Sequence, residues 1–197
     1  PAEHFLPCEN YAEFRPVLTL NARPVLSKPG IYGWNKIDRG SQLLIQTLGQ
    51  EQLPACAQSL DLGCGYGYLT LAAADLPLGL RTCTDNNAAA IQACKRNCQA
   101  WGIEAQMILA DCGEGLKKDY DVILCNPPFH QGFEVENQLT ERFLAAAARL
   151  LRTPGAAYFV VNQFIALERK AENFFKNCQK ITGDGHFKIV RLTQPKY

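Results

Sequence analysis

The segment that most restricts what this chain can fold into is DLGCGYG, residues 61–67. It follows a short apolar stretch, SLDL at 59–62, and precedes a helical pattern over 68–74. Glycines at 63, 65 and 67 carry no Cβ, so the backbone can turn sharply out of a strand and a ligand can approach the main chain. A dinucleotide fingerprint, G-x-G-x-x-G, does not fit, because its last place would fall on Tyr68 or on Thr70. No G-K-[S/T] follows, which removes the phosphate-cradling P-loop as well.

The order of strand, turn and helix then recurs. LRTCTD at 80–85 reads as a second strand, and a helix over 88–101 is stopped by Gly102. Strands are expected at 104–111, 120–126 and 155–162, with helices at 138–151 and 165–176. Alternating helices and apolar strands predict an α/β fold with a doubly wound, mostly parallel sheet and helices on both faces. The tail HFKIVRL, 186–192, alternates in polarity after the turn TGDG and predicts a C-terminal antiparallel hairpin. Residues 1–40 hold five of the eleven prolines and a possible hairpin, VLTL then ARPVLSK, so they read as an N-terminal extension to a domain over 41–197.

The strand at 120–126 ends in an unusual way. Val122, Ile123 and Leu124 run directly into Asn126-Pro127-Pro128-Phe129-His130. Proline lacks a backbone N–H and cannot continue a ladder, so the sheet stops and leaves a polar side chain at the strand's carboxyl end. In open α/β sheets that edge is where ligands bind. The second strand ends there too, in Asp85, whose two carboxylate oxygens could accept both hydroxyls of a ribose; a helix cap is the other use of an Asp before Asn86 and Asn87. The third ends in Asp111, followed by Cys112.

Composition sets outer limits. The chain has 197 residues with 47% hydrophobic and 20% charged, ordinary for a globular domain, and no apolar run long enough to span a membrane. Its start, PAEHFLPCEN, is unlike an export signal. Nine cysteines cannot all pair, and no CxxC pair suggests zinc. Cys94 and Cys98 could in principle share a metal, but with Ile91 and Trp101 they form one helical stripe, so core packing is expected and no metal site. Reduced thiols imply the cytoplasm. The net charge of +1 is unevenly spread: 5 Lys/Arg against 11 Asp/Glu over 41–139, and 10 against 4 over 140–197. The basic part is either a phosphate-facing patch or scattered surface charge.

The acidic residue and three spaced glycines after a first strand resemble the cofactor turn of class I S-adenosylmethionine-dependent methyltransferases. Asn126-Pro127-Pro128-Phe129 resembles the [DNS]-P-P-[FYW] motif of members that methylate planar, conjugated nitrogens. Together with PGIYGWNKIDRGSQLL at 29–44 and HFKIVRL, NPPFHQG is similar to the bacterial ribosomal RNA guanine-N2 methyltransferases, both the methyltransferase C type that acts on the small subunit and its relative of the methyltransferase G type that acts on the large one. The resemblance covers roughly residues 25–192 and implies a Rossmann-like class I domain with a seven-stranded sheet. It implies S-adenosylmethionine as cofactor, with S-adenosylhomocysteine as product, held by Asp61, Gly63, Cys64, Gly65, Gly67, Asp85, Asn86, Asp111, Cys112 and Asn126. Asp111 would accept from the adenine amino group. Lys36, Asp38, Ser41 and Gln42 lie in the segment that covers the cofactor in that family.

The chemistry needs such a motif. A conjugated amine has its lone pair delocalised and is a poor nucleophile, so acceptors must hold its N–H groups and aim the lone pair at a methyl group. Asn126 and Pro127 are expected to supply those acceptors, with Pro128 shaping the turn and Phe129 stacking on the planar target. His130 either touches the base or fixes the loop. The expected acceptor is the N2 amine of a guanosine in ribosomal RNA, free or in an assembled ribosomal particle. A protein glutamine, an adenine N6 and a non-catalytic binding domain stand as alternatives. Family members carry a second, N-terminal domain thought to help with RNA, so this chain is expected to be either the catalytic half of something longer or a short form aided by its basic tail or a partner.

Overall fold

The computed structural model describes residues 11–128 and 133–196, with the side chains of 133–137 set aside. Phe129, expected to stack on the substrate, and His130, expected either to touch the base or to fix the loop, lie outside the described residues. The chain opens with a hairpin, β1 (Arg15–Leu20) and β2 (Arg23–Ser27), and helix α1 (Arg39–Leu48). The sheet-forming part follows as β3 (Ala57–Leu62), α2 (Tyr68–Ala72), β4 (Leu78–Asp85), α3 (Ala88–Trp101), β5 (Ala105–Leu109) and β6 (Tyr120–Cys125). It closes with α4 (Phe133–Leu150), β7 (Leu151–Asn162), α5 (Leu167–Ala171), β8 (Phe175–Gly183) and β9 (Phe187–Pro195).

Among the described residues, seven strands form one sheet in the order β5-β4-β3-β6-β7-β9-β8. The first five in this order pair in parallel, whereas β9 runs antiparallel to both β7 and β8. Side chains alternate across a strand. In β6, Val122 and Leu124 therefore enter the core beneath α1, α2 and α3, while Ile123 and Cys125 enter the core beneath α4 and α5. Helices on both faces of a mostly parallel sheet with a terminal hairpin match the expected class.

Three expectations shift. The third strand ends at Leu109, two residues short of Asp111, which sits with Cys112 in a single 3-10 turn. The helix expected at 138–151 begins at Phe133, and β7 follows it directly. The helix expected at 165–176 is only one turn, Leu167–Ala171. Leu167, Ala171 and Phe175 are all buried at spacings of four, which imitates a helical stripe. Beyond Ala171 the pairing with β9, from Phe175↔Pro195 to Gly183↔Lys188, outweighs that local preference.

Val25 of the hairpin is buried in the main core, and one polar side chain ties the hairpin to it. Asn97 of α3 is 1% exposed; its Oδ1 accepts from Leu26 N at 2.8 Å, and its Nδ2 donates to Leu26 O and Tyr66 O at 2.9 Å each. Strand β3 lies between β4 and β6, so the chain winds outward through β4 and β5 and returns to the other side of β3. This switch point opens a crevice above the carboxyl ends of β3 and β6.

Candidate active site

The glycine loop leaves β3 with φ of 82° at Gly63, 55° at Gly65 and 93° at Gly67. The amides of Gly63 and Cys64 donate to Thr84 O of β4 at 2.8 and 3.0 Å, which ties the loop across the sheet edge. The glycines serve different ends. A Cβ on Gly67 would lie 2.7 Å from Cys94 Sγ, so this residue allows α2 and α3 to pack closely. A Cβ on Gly65 would meet no atom within 4 Å, because that face opens on the cavity.

Asp85, at the end of β4, accepts from Gly65 N through Oδ2 at 2.9 Å and from Asn87 N through Oδ1 at 2.8 Å. It is not the cap of α3. Asn87 takes that place, accepting from Ala89 N at 2.9 Å and Ala90 N at 3.4 Å. A carboxylate oxygen has two lone pairs, so each Asp85 oxygen keeps acceptor capacity for a vicinal diol.

Asp61 has a supporting position beneath the loop. Its side chain is buried, and Oδ2 accepts from Thr70 Oγ1 at 2.7 Å and Thr70 N at 3.2 Å, binding the end of β3 to α2. Among the described residues Oδ1 has no partner. Burial, with the neighbouring Cys83 as a lesser cause, pushes this carboxyl up from 3.8 to about 8.

Asn126 leaves β6 at the crevice. Its Nδ2 donates to Asp38 Oδ1 at 2.8 Å and to Ser41 Oγ at 2.7 Å, both in the segment that starts α1. Asp38 Oδ1 also accepts from Ser41 N at 2.8 Å as the N-cap of α1. Tyr66 Oη donates to Lys36 O at 3.0 Å, so the glycine loop is fastened to the same segment.

One cavity of about 650 Å³ joins these parts, within the usual range of ligand sites of about 300–1,000 Å³. Gly63, Cys64, Gly65, Asp85, Asn86, Asp111, Cys112, Asn126 and Pro128 of the expected residues line it. Asp61, Gly67 and Pro127 do not reach its wall. Of the covering segment, Lys36, Asp38 and Ser41 face the cavity and Gln42 does not. Asp111 pairs with Arg142 of α4, which holds its carboxyl below the usual carboxylate range. Sequence reasoning missed Tyr66, Thr84 and Phe143 as wall residues, and the turn Gly30–Gly33. Phe143 arrives from α4, 80 residues beyond Gly63, and no local pattern marks it.

Cys64 sits in the loop and Cys83, Cys94 and Cys98 are buried below it, and no described cysteine is in a disulfide. Among the described residues no cluster has the arrangement of a metal site, and no helix is long and apolar enough to cross a membrane.

The strand order, the glycine loop after β3, the acidic end of β4 and the Asn-Pro-Pro turn after β6 together define a Rossmann-like class I methyltransferase fold. More narrowly, the chain belongs to the methyltransferase small domain family, whose model matches residues 22–191. It is 33% identical over 167 residues to the ribosomal RNA small subunit methyltransferase C of Aeromonas hydrophila, covering 84% of this chain and 47% of that protein. With the protein of that description from Pseudomonas aeruginosa it shares 35% over 163 residues, 82% of this chain and 48% of the other. Among solved structures, a 16S rRNA N2 methyltransferase from T. thermophilus in complex with AdoMet and guanosine superimposes with a TM-score of 0.78 at 27% identity. That match covers 92% of this chain and 50% of that one. The chain thus spans about half the length of the curated relatives it matches.

Proposed function

We propose that this chain transfers a methyl group from S-adenosylmethionine to the exocyclic N2 amine of a guanosine in ribosomal RNA, working in the cytoplasm. The observation that carries the reading is the Asn126 amide. Its nitrogen is committed to Asp38 and Ser41, which leaves its oxygen as the end that can accept at the cavity shared with the glycine loop. The relatives' descriptions and the solved complex with AdoMet and guanosine support the choice of cofactor and acceptor.

The residues present fit such a donor. Asp85 offers two oxygens with capacity to spare for ribose hydroxyls, the bare face of Gly65 would admit a close-lying chain, and Asp111 and Cys112 on the same cavity wall would be available to an adenine ring. When bound, S-adenosylmethionine supplies an electrophilic methyl group on a sulfonium sulfur. Asn126 Oδ1 would accept an N–H of the target amine at the cavity wall; Pro127, the other expected acceptor, is not part of that wall, and Phe129, expected to stack on the base, is outside the described residues. Held so, the amine would have that N–H engaged and its lone pair free to be directed at the methyl group that a bound donor would supply, and the proton lost on methylation could pass to water. Positioning supplies much of the rate. Asp61 and Gly67 act one layer below, by fixing the loop. Ribosomal RNA or a ribosomal subunit is the partner, and the additional length of the relatives suggests a further domain for RNA recognition.

The test is incubation of the chain with unmodified ribosomal RNA and labelled methyl donor, followed by nucleoside analysis. N2-methylguanosine is expected. N6-methyladenosine, labelled protein or no incorporation would overturn the assignment.

A further inference from the structure

We infer that Asp38, assisted by Ser41, is a positioning residue for methyl transfer: it fixes which end of the Asn126 amide faces the substrate, and so makes the site a reader of N–H donors. The inference rests on the proposed methyl transfer but not on the identity of the acceptor.

The two ends of an amide are alike in shape and opposite in hydrogen bonding. With its oxygen toward the cavity, Asn126 receives an amine; with its nitrogen there, it faces that amine donor to donor. Nothing in the turn itself decides between them. Asp38 does, because an ionised carboxylate can only accept, so the group at 2.8 Å from its Oδ1 must be Nδ2. Ser41 Oγ at 2.7 Å occupies the second N–H of the same nitrogen. Both hydrogens are then taken, and rotation of the amide would set its oxygen against the Asp38 carboxylate and break the hydrogen bond to that charged acceptor, whereas the Ser41 hydroxyl could reverse its role.

The arrangement depends on α1 approaching the sheet closely. A Cβ on Gly40 would lie 2.9 Å from Val160 Cγ2, 3.0 Å from Phe187 Cδ1 and 3.0 Å from Asp38 Oδ1, so a glycine between Asp38 and Ser41 lets the first turn of α1 rest against β7 and β9. The lock also reaches the other half of the site. The carbonyl of Lys36, two residues before Asp38, accepts from Tyr66 of the glycine loop, so one backbone segment connects the cofactor loop to the Asn126 amide. Asp38 and Asn126 lie 88 residues apart. Capping α1 is a sufficient reason for an aspartate at position 38, and the bond to Asn126 is an additional task that a capping serine would not perform.

The experiment uses that difference. Asp38→Ser keeps a good N-cap but its shorter side chain cannot reach Asn126. It is expected to lower the single-turnover rate of methyl transfer about 10- to 100-fold while changing the dissociation constant for S-adenosylmethionine less than about threefold. Asp38→Asn retains an oxygen at the same reach and should recover most of the lost rate. A readout independent of turnover is the side-chain amide signal of Asn126 in 15N-edited NMR: its two protons should move toward the values of a mobile amide in Asp38→Ser. Should Asp38→Ser fold poorly, Ser41→Ala removes one of the two acceptors and should lower the rate several-fold at unchanged cofactor affinity. An unmoved Asn126 signal, an unchanged rate, or equal losses in rate and cofactor affinity would overturn the inference. Absence of N2-methylguanosine from the wild-type reaction, with the Asn126 signal still responding to position 38, would instead count against the assigned acceptor.

Discussion

Asp85 Oδ2 accepts the amide of Gly65 at 2.9 Å across 20 residues of sequence, so the carboxylate at the end of β4 shapes the glycine loop at the end of β3. One side chain thereby holds the loop and, in the proposed function, would also offer acceptors to a ribose. Asp85→Ala removes charge-assisted bonds to two backbone amides and the diol acceptors together. At about 1.5–3 kcal/mol for a hydrogen bond to a charged group, the expected loss in affinity for S-adenosylmethionine is roughly 100-fold or more by calorimetry. A change below threefold would remove Asp85 from the cofactor site.

The glycines at 65 and 67 should respond oppositely to the same substitution. Gly65→Ala places a Cβ in open cavity space, so the fold loses only about 1 kcal/mol for the left-handed conformation while cofactor affinity falls at least tenfold. Gly67→Ala drives a Cβ to 2.7 Å from Cys94 Sγ, where overpacking costs about 1–3 kcal/mol beyond the conformational cost. Urea denaturation and calorimetry on both variants separate the cases: a binding defect at 65, a stability defect at 67.

Asp61 gives the protein a pH-dependent stability of definite sign. Its carboxyl titrates at about 8 when folded against 3.8 ordinarily, so the folded state holds a proton that the unfolded state releases. The stabilisation that goes with that proton is complete below about pH 4 and is lost as the pH rises to about 8. Asp61→Asn, which cannot ionise, should gain in melting temperature relative to the parent between pH 6 and 8 and hold a constant difference above that. A difference independent of pH would show that Asp61 is ionised in the fold throughout.

The mostly parallel sheet was legible in the sequence because the apolar runs of β3 and β6 are buried on nearly every residue and the turns after the strands carry their own punctuation. Asn126-Pro127 stood out because a ladder cannot pass through proline. The boundary at Phe175 was not legible, since Leu167, Ala171 and Phe175 satisfy helical spacing until β9 is present to pair with β8. Asp61 and Asp85 were both expected to hold the cofactor. Only the alternation of β3, which turns Asp61 inward onto Thr70, separates a buried support from a residue at the cavity. The partnership of Asp38 with Asn126 joins segments 88 residues apart and leaves no trace in either one.

Asn97 should be the most costly polar side chain to remove outside the cavity. Truncation to alanine leaves Leu26 N, Leu26 O and Tyr66 O without their partner in a site that is 1% exposed. Each unsatisfied buried group costs about 1–3 kcal/mol, and partial rehydration at the hairpin offsets some of it, so the expected destabilisation is about 3 kcal/mol. Asn97→Asp should be no better, because the Nδ2 that serves two carbonyls becomes an oxygen facing them. Because Tyr66 belongs to the glycine loop, both variants should also weaken cofactor binding, which Asn-to-Ala changes on the exposed surface would not do. Chemical denaturation with and without S-adenosylmethionine measures both effects; a loss of stability below about 1 kcal/mol would mean that water replaces the asparagine at little cost.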